Sequence, residues 1–178
     1  VIQCFILVDR PKVGFADAAR AARGECMLSA SKELQLARRR ASKGKPPVDD
    51  DLPLVAKRSP KCKRFKMKVA FLGELFHGWM RQPGLRSIQG VLEDTIRPLL
   101  GQRVRIVPAG RTDAGVHAFA QICQFDAILG DDGADLDALC KILNAAMPAD
   151  ICIRHVEYSI PDFNVMIVLW KRYVYRLQ

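Results

Sequence analysis

The chain has 178 residues, of which 49% are hydrophobic, and this is enough apolar material for one buried core. No apolar run approaches the roughly 18 residues that cross a bilayer, and no secretory signal is visible. We therefore expect an intracellular protein without a membrane contact, in the cytoplasm, nucleus or an organelle. The formal net charge of +9 lies at the start, because residues 1–68 hold 17 Lys and Arg against 7 Asp and Glu, whereas residues 69–178 hold 11 against 12.

Residues 1–64 are predicted to form a basic, poorly structured leading segment. An apolar run at residues 1–8 is followed by arginine-rich stretches, by Pro46-Pro47 and by three aspartates at residues 49–51. Proline and clustered charge disfavour a packed element. Four interpretations stay open for this segment: a solvated arm, a targeting peptide, a nuclear address, or an arm that binds nucleic acid without sequence preference.

A folded domain is predicted from residue 65 to residue 178. Its first strand is indicated at residues 65–72, where the pattern alternates and then becomes apolar. Ser87 is a candidate N-cap for a helix over residues 88–100, whose apolar residues recur at helical spacing. Pro98 predicts a kink or an early end of this helix, and Gly101 fits the position just beyond it.

The later elements complete a recognisable order. They are strands at residues 104–107 and 119–125, a helix from Leu136 that ends before Pro148, a strand at residues 151–156, and a last strand at residues 172–177. The order strand, helix, strand, strand, helix, strand is the split β-α-β or ferredoxin-like arrangement. The predicted fold class is therefore α+β.

The most distinctive string is Gly-Arg-Thr-Asp-Ala-Gly-Val-His-Ala at residues 110–118. Arg111 and Asp113 are two residues apart, so they share a face of an extended chain, and a nearby arginine favours an ionised carboxylate. Gly110 and Gly115 permit a sharp turn from which the carboxylate stands out. This arrangement suits a reactive aspartate, but Asp and Gly also dominate ordinary charged turns.

The six cysteines do not predict a metal site. None of them forms a C-x-x-C pair, and the three histidines lie far from one another along the chain. Cys123, Cys140 and Cys152 lie in apolar surroundings, so we expect them to be small core residues.

Several short strings carry a resemblance to a known family because they follow one another in its order. They are Gly78-Trp79, Arg81-Gln82, and residues 87–93, 109–118, 143–145, 148, 150–151 and 171–175. From about residue 66 to its end the chain resembles the tRNA pseudouridine synthase A family. The resemblance implies an isomerase that needs no cofactor and no metal, and that converts uridine to pseudouridine in tRNA, usually in the anticodon arm. It also implies a homodimer in some members, and a fold of two ferredoxin-like halves whose sheets meet at the active cleft.

The resemblance implies roles for three residues. Asp113 matches the essential aspartate, which attacks the uridine at the base ring or at the sugar carbon. Arg111 matches the arginine that pairs with this aspartate and fills the space left by the flipped nucleotide, and Tyr173 matches the tyrosine that stacks on the base. From the residues alone, His117 is predicted to be a structural hydrogen-bonding residue, and Trp79 belongs either to the core or to an RNA-facing loop.

The chain also departs from the family pattern. Met80 stands where the family usually has Gln, and residues 163–170 replace a Phe-His-Ala-Arg-like segment, so the functional arginine of that segment is absent. The sequence ends at Gln178, before the second half of the family fold. We therefore expect residues 65–178 to be the N-terminal half of the catalytic domain, and this chain to be inactive or nearly so.

The competing hypothesis is an RNA-binding module of ferredoxin-like fold that performs no chemistry. Such modules stack bases on exposed aromatic side chains of their central strands. This chain offers Phe71, Phe119 and Phe125 on predicted strands, but no string typical of those modules. The exposure of these three rings therefore distinguishes the two hypotheses.

Overall fold

The computed structural model describes residues 3–7, 59–130, 134–169 and 171–176. Within these ranges the chain forms β1 (Gln3–Leu7), β2 (Lys63–Phe71), a 3-10 helix (Gly73–Leu75), α1 (Ile88–Leu100), β3 (Val107–Pro108), β4 (His117–Ala127), α2 (Leu136–Ala146), β5 (Ile151–Ser159) and β6 (Arg172–Arg176). None of the helices in the described ranges is long and apolar enough to traverse a bilayer.

The strands form one sheet in the order β5-β2-β4-β1-β6, and the short β3 also pairs with β4. The pairs β2–β4, β2–β5 and β3–β4 are all antiparallel. Because α1 lies between β2 and β3 in the chain, and α2 between β4 and β5, these four strands and two helices follow the split β-α-β order. The predicted α+β class is confirmed.

The core lies between the sheet and the two helices. Side chains alternate along β2, so that Phe65, Met67, Val69 and Phe71 are buried while Arg64, Lys66 and Lys68 on the opposite face are only half-buried. The buried face of β2 belongs to one cluster with apolar residues of both helices, among them Ile88, Leu92, Ile96 and Leu143. No helix of the described residues packs on the other face of the sheet, which is called the open face below.

The predicted ends of α1 match the structure with one difference. The Ser87 hydroxyl accepts a hydrogen bond from the Gly90 N–H at 3.2 Å, and Gly101 adopts a left-handed conformation with φ 63°. Both predictions at the helix ends are confirmed. The helix continues past Pro98 to Leu100. A proline in the last turn removes little of the helical hydrogen bonding, so the helix does not end there.

The strand predicted at residues 104–107 is displaced in the structure. Pairing with β4 begins only at Val107, which lies opposite Gln124. The preceding Ile106 is buried, and its N–H donates to Oε1 of Glu93 on α1 at 3.0 Å. Because Glu93 of the helix accepts from this amide, Val104 and Ile106 place their side chains in the core without forming a strand.

The leading segment contributes one element that the sequence did not predict. Strand β1 lies within residues 1–64, which were expected to be poorly structured, and pairs in parallel with β4 and antiparallel with β6. Its Ile6 lies opposite Ala118 of β4 on one side and opposite Tyr173 of β6 on the other. The arginine-rich and aspartate-rich stretches, with the four interpretations proposed for them, lie outside the described residues.

Candidate active site

Asp113 lies in a tight turn immediately before β4. The Val116 N–H donates to the Asp113 carbonyl at 3.3 Å, and Gly115 has φ 77° at the third position of this turn. A type II turn requires a positive φ at this position, which explains the glycine. Asp113, Ala114 and Gly115 are exposed. The carboxylate therefore stands out of the turn, and among the described residues it has no hydrogen-bond or ion-pair partner.

The loop after β2 holds this turn through backbone contacts. The Trp79 N–H donates to the Thr112 carbonyl at 2.9 Å, and the Gly115 N–H donates to the Phe76 carbonyl at 3.2 Å. Trp79 and Thr112 are both buried, so the supporting contact is shielded from water. The exposed aspartate is thus carried by a fixed backbone.

Two glycines of the same loop permit this close approach. A Cβ atom on Gly73 would lie 2.0 Å from the Val116 carbonyl oxygen, and one on Gly78 would lie 2.8 Å from the Thr112 carbonyl oxygen. Gly78 also has φ 84°, which side chains disfavour. Sequence reasoning assigned no role to either residue. The available signal was glycine in a loop that directly follows a buried strand, which is common where two backbones meet.

Trp79 and His117 are structural residues of this support. Trp79 is fully buried, and its ring lies 5.9 Å from the ring of Phe71, so it belongs to the core. His117 is buried, and its Nδ1 accepts a hydrogen bond from the Gly73 N–H at 3.3 Å, as the sequence predicted for a structural histidine. Burial lowers the pKa of His117 below its ordinary value, and the nearby charge of Glu74 opposes this shift only in part.

Residues Arg81, Gln89 and Glu93 of the family strings tie the supporting loop to α1. The Arg81 N–H donates to Gln89 Oε1 at 3.2 Å, and Arg81 Nε donates to Glu93 Oε2 at 3.1 Å. Gln89 Nε2 in turn donates to Glu93 Oε1 at 2.8 Å. These side chains therefore fix the position of the loop that carries Trp79.

A second anchor joins the loop to the start of β5. Arg86 makes a bidentate ion pair with Asp150, with N–O distances of 2.7 and 3.0 Å. The guanidinium of Arg86 also lies 3.9 Å from the centre of the Phe76 ring. The Asp150 carbonyl also accepts from the Leu72 N–H at 2.9 Å. Phe76, whose carbonyl accepts from the Gly115 N–H, is therefore itself covered by the guanidinium of Arg86.

The other two predicted site residues lie at the same end of the sheet. Arg111 is exposed two residues before Asp113, and within the described part of the chain the two side chains do not form an ion pair. Tyr173 on β6 is 47% exposed. It is level with Ala118, separated by one intervening strand, which corresponds to about 10 Å at the usual strand spacing.

The segment between β5 and β6 crosses the open face of the sheet. Arg64 Nη1 on β2 donates to the Phe163 carbonyl at 2.7 Å, and the Val165 N–H donates to Oε1 of Gln124 on β4 at 2.7 Å. Val165 is buried at this crossing. These contacts show how residues 163–169, which depart from the family pattern, lead the chain back towards the Asp113 turn.

The aromatic residues of the central strands do not form a stacking surface. Phe71, Phe119 and Phe125 are 2%, 6% and 2% exposed. Bases cannot stack on rings that are buried in the core. The competing hypothesis of an RNA-binding module required these rings to be exposed, so the structure gives it no support.

Three cysteines, Cys123, Cys140 and Cys152, were expected to be small core residues. Cys123 and Cys152 are buried and Cys140 is half-buried. Burial raises the pKa of the Cys123 thiol far above its ordinary value, so it stays protonated. Over the described residues, no three His, Cys, Asp or Glu side chains are grouped so that they could hold a metal ion.

A split β-α-β domain that exposes an aspartate in a Gly-Arg-Thr-Asp-Ala-Gly-Val-His turn is a domain of the pseudouridine synthase type. A family model described as tRNA pseudouridine synthase matches residues 67–165, and the chain belongs to this family. The resemblance inferred from the sequence is confirmed.

Curated relatives agree with this assignment. The chain is 38% identical over 112 residues to tRNA pseudouridine synthase A of Dictyoglomus turgidum, a match that covers 62% of this chain and 45% of that protein. It is 41% identical over 120 residues to the protein of the same name in Nitratidesulfovibrio vulgaris, covering 64% and 39%. For the Synechocystis protein the values are 39% over 123 residues, covering 64% and 41%. The chain thus spans less than half the length of these relatives.

Proposed function

We propose that this chain carries the aspartate-bearing part of a tRNA pseudouridine synthase, an isomerase that converts uridine in tRNA to pseudouridine. The observation that carries the proposal is the exposed carboxylate of Asp113 on a turn that buried backbone contacts hold in place. The proposal is also supported by the curated relatives, which are named tRNA pseudouridine synthase A. The RNA partner is therefore tRNA, with the anticodon arm as the proposed site.

The reaction requires a nucleophile that is fixed in position and free to reach the substrate. The bond from the sugar to the base nitrogen breaks, the base turns, and a bond from the sugar to a base carbon forms. The proton of that carbon is released to water, and the freed base nitrogen takes up a proton, so that the product is an isomer of the substrate. We propose that Asp113 attacks the uridine, at the base ring or at the sugar carbon, because covalent participation divides one difficult step into easier ones. A carboxylate that forms no hydrogen bond or ion pair with the described residues is available for this attack.

Arg111 and Tyr173 are the proposed substrate-binding residues. Extruding a nucleotide costs a few kcal/mol, and an arginine that occupies the vacated space offsets part of that cost. A base that stacks on an aromatic ring gains roughly 1–3 kcal/mol. The exposure of both side chains at the end of the sheet where Asp113 lies is consistent with these roles.

We assign the proposed catalytic domain to residues 65–178, which follow a basic segment at residues 1–64. The family resemblance implies that the second half of the fold supplies the opposite wall of the active cleft. A misplacement of about 1 Å can cost on the order of 100-fold in rate. We therefore propose that the 178-residue chain binds tRNA and turns over only slowly. The homodimer of some family members is part of the same proposal, and sedimentation equilibrium tests it.

Tritium release from tRNA labelled at uridine carbon 5 tests the proposed chemistry. The chain is used in excess over tRNA, so that even slow turnover is measurable. Asp113→Asn removes the nucleophile, whereas Asp137→Asn removes the same charge from an exposed position on α2 and serves as the control. We expect release with the wild type and the control but not with Asp113→Asn. Equal release from all three chains, or none from any, contradicts the proposal.

A further inference from the structure

The side chain of Lys171 lies against Gly110, three residues before Asp113. A Cβ atom on Gly110 would lie 2.9 Å from Lys171 Nζ, 3.5 Å from its Cε and 3.9 Å from its Cδ. The backbone of Gly110 does not have a positive φ, so its conformation does not demand glycine. The absence of a side chain at residue 110 is instead what gives the lysine its place.

The ammonium group of Lys171 has no counter-charge among the residues that the structure describes. Among the described residues, no hydrogen bond or ion pair involves its Nζ, and the side chain is exposed. Lys66 on β2, by contrast, forms an ion pair with Glu157. A lysine that is positioned by packing but has no carboxylate beside it is available to an external anion.

The surroundings of Lys171 favour an anion with an attached apolar group. The lysine lies at a groove of about 270 Å³ between residues 163–169 and the open face of the sheet. The lining includes Lys66, Ile122, Phe163 and Ile167, and none of the described residues that line it is acidic. Positive charge beside apolar and aromatic surface is the combination that single-stranded nucleic acid binds.

Lys171 lies within about one nucleotide's length of Asp113. Gly110 precedes Asp113 by three residues, so their Cα atoms are at most about 11 Å apart. A uridine whose ring lies at Asp113 carries a phosphate on either side of its sugar, within reach of an ammonium at Gly110. Lysine binds phosphate as a point charge.

We propose that Lys171 binds a phosphodiester oxygen next to the target uridine and so positions the nucleotide at Asp113. This inference rests on the proposed function and names a contact that it does not require. Lys171 is a positioning residue in this proposal, because its ammonium contacts the backbone of the RNA and not the reacting atoms.

Binding of an anticodon-arm RNA by the 178-residue chain, followed by fluorescence anisotropy over a range of salt concentrations, tests the contact. Losing one phosphate contact lowers the slope of log K against log salt by about 0.7–0.9. We expect Lys171→Gln to show this loss and to bind several-fold more weakly at low salt. Lys141→Gln, which removes the same charge from an exposed position on α2, is expected to keep the wild-type slope.

Two further variants separate the contact from folding and from net charge. Lys171→Arg keeps the charge and should retain most of the affinity. Gly110→Ala keeps every charge but its Cβ displaces the flexible end of Lys171, so we expect weaker binding with an unchanged thermal melt.

The outcomes distinguish this contact from the proposed function. Asp113-dependent tritium release together with equal salt slopes for Lys171→Gln and Lys141→Gln would overturn the lysine contact alone. If the wild-type chain does not bind the RNA at all, the contact and the proposed function both fail.

Discussion

Two glycines far from Asp113 in the sequence determine how its turn is built. Gly73 and Gly78 both lie where a Cβ atom would overlap the backbone of residues 112–116. Backbone atoms cannot move aside as a flexible side chain can, so any side chain at these positions displaces the turn. The position of the Asp113 carboxylate therefore depends on two glycines that have no reactive side chain.

Gly78→Ala tests this dependence. The left-handed conformation alone costs an alanine about 1–2 kcal/mol, and the overlap with the Thr112 carbonyl adds to it. Gly84→Ala is the matched control, because Gly84 also has a positive φ of 72° but no atom within 4 Å of its ideal Cβ. We expect the free energy of unfolding, from urea titration, to fall further for Gly78→Ala. Equal losses would show that the close approach does not matter.

His117 is expected to make stability depend on pH. Burial lowers the pKa of His117 in the folded state below its value of about 6.5 in the unfolded chain. Between these two pKa values the unfolded chain binds a proton and the folded protein does not, so protonation favours unfolding. Stability is therefore full above about pH 6.5 and falls as the pH drops through this window. Protonation also removes the Nδ1 lone pair that accepts from Gly73.

Urea titrations between pH 7.5 and pH 5 measure the effect of His117. His117→Asn keeps an acceptor but cannot titrate, so we expect the free energy of unfolding to depend less on pH in this variant. His77→Asn replaces an exposed histidine of the loop that follows β2 and should behave as the wild type. The same pH dependence in all three proteins would argue against the role assigned to His117.

At the scale of secondary structure, α1 organises both the loop that supports the turn and the chain that enters β3. Its Glu93 accepts from Ile106 N–H, from Gln89 and from Arg81. This one side chain explains why residues 104–106, with a strand-like pattern, do not pair with β4. The local periodicity of a sequence indicates which residues are buried, but it does not indicate which group accepts hydrogen bonds from their backbone N–H groups.

Glu93→Ala is expected to lower the free energy of unfolding by about 1–3 kcal/mol, because it leaves the buried Gln89 amide and the Ile106 N–H without an acceptor. Asp94→Ala removes a neighbouring, half-exposed carboxylate that also pairs with Arg81, and its expected cost is below about 1 kcal/mol. Urea titration of both variants makes the comparison. A similar cost for the two would mean that the Glu93 network does not fix the loop.

At the scale of the whole molecule, the sequence predicts the local elements well and their long-range pairing poorly. The helix ends at Ser87 and Gly101 and the β-α-β-β-α-β order follow from local patterns. The pairing of β1 with β4 and β6 joins segments more than 100 residues apart, and no local pattern encodes its register.

The candidate site also combines local features that the sequence predicts with tertiary contacts that it does not predict. The exposed turn at Asp113 follows from its own residues, because Gly115 supplies the conformation that the turn needs. The approach of Gly73 and Gly78 to that turn, and of Lys171 to Gly110, depends on tertiary packing, and sequence analysis assigned a role to none of the three.

The most direct test of the central claim is nucleoside analysis of tRNA after incubation with an excess of the 178-residue chain. The account predicts that pseudouridine appears at a uridine of the anticodon arm with the wild type and with Asp137→Asn, and not with Asp113→Asn. Pseudouridine formed equally well by Asp113→Asn would contradict it, as would tRNA that keeps all its uridines after binding to the wild-type chain.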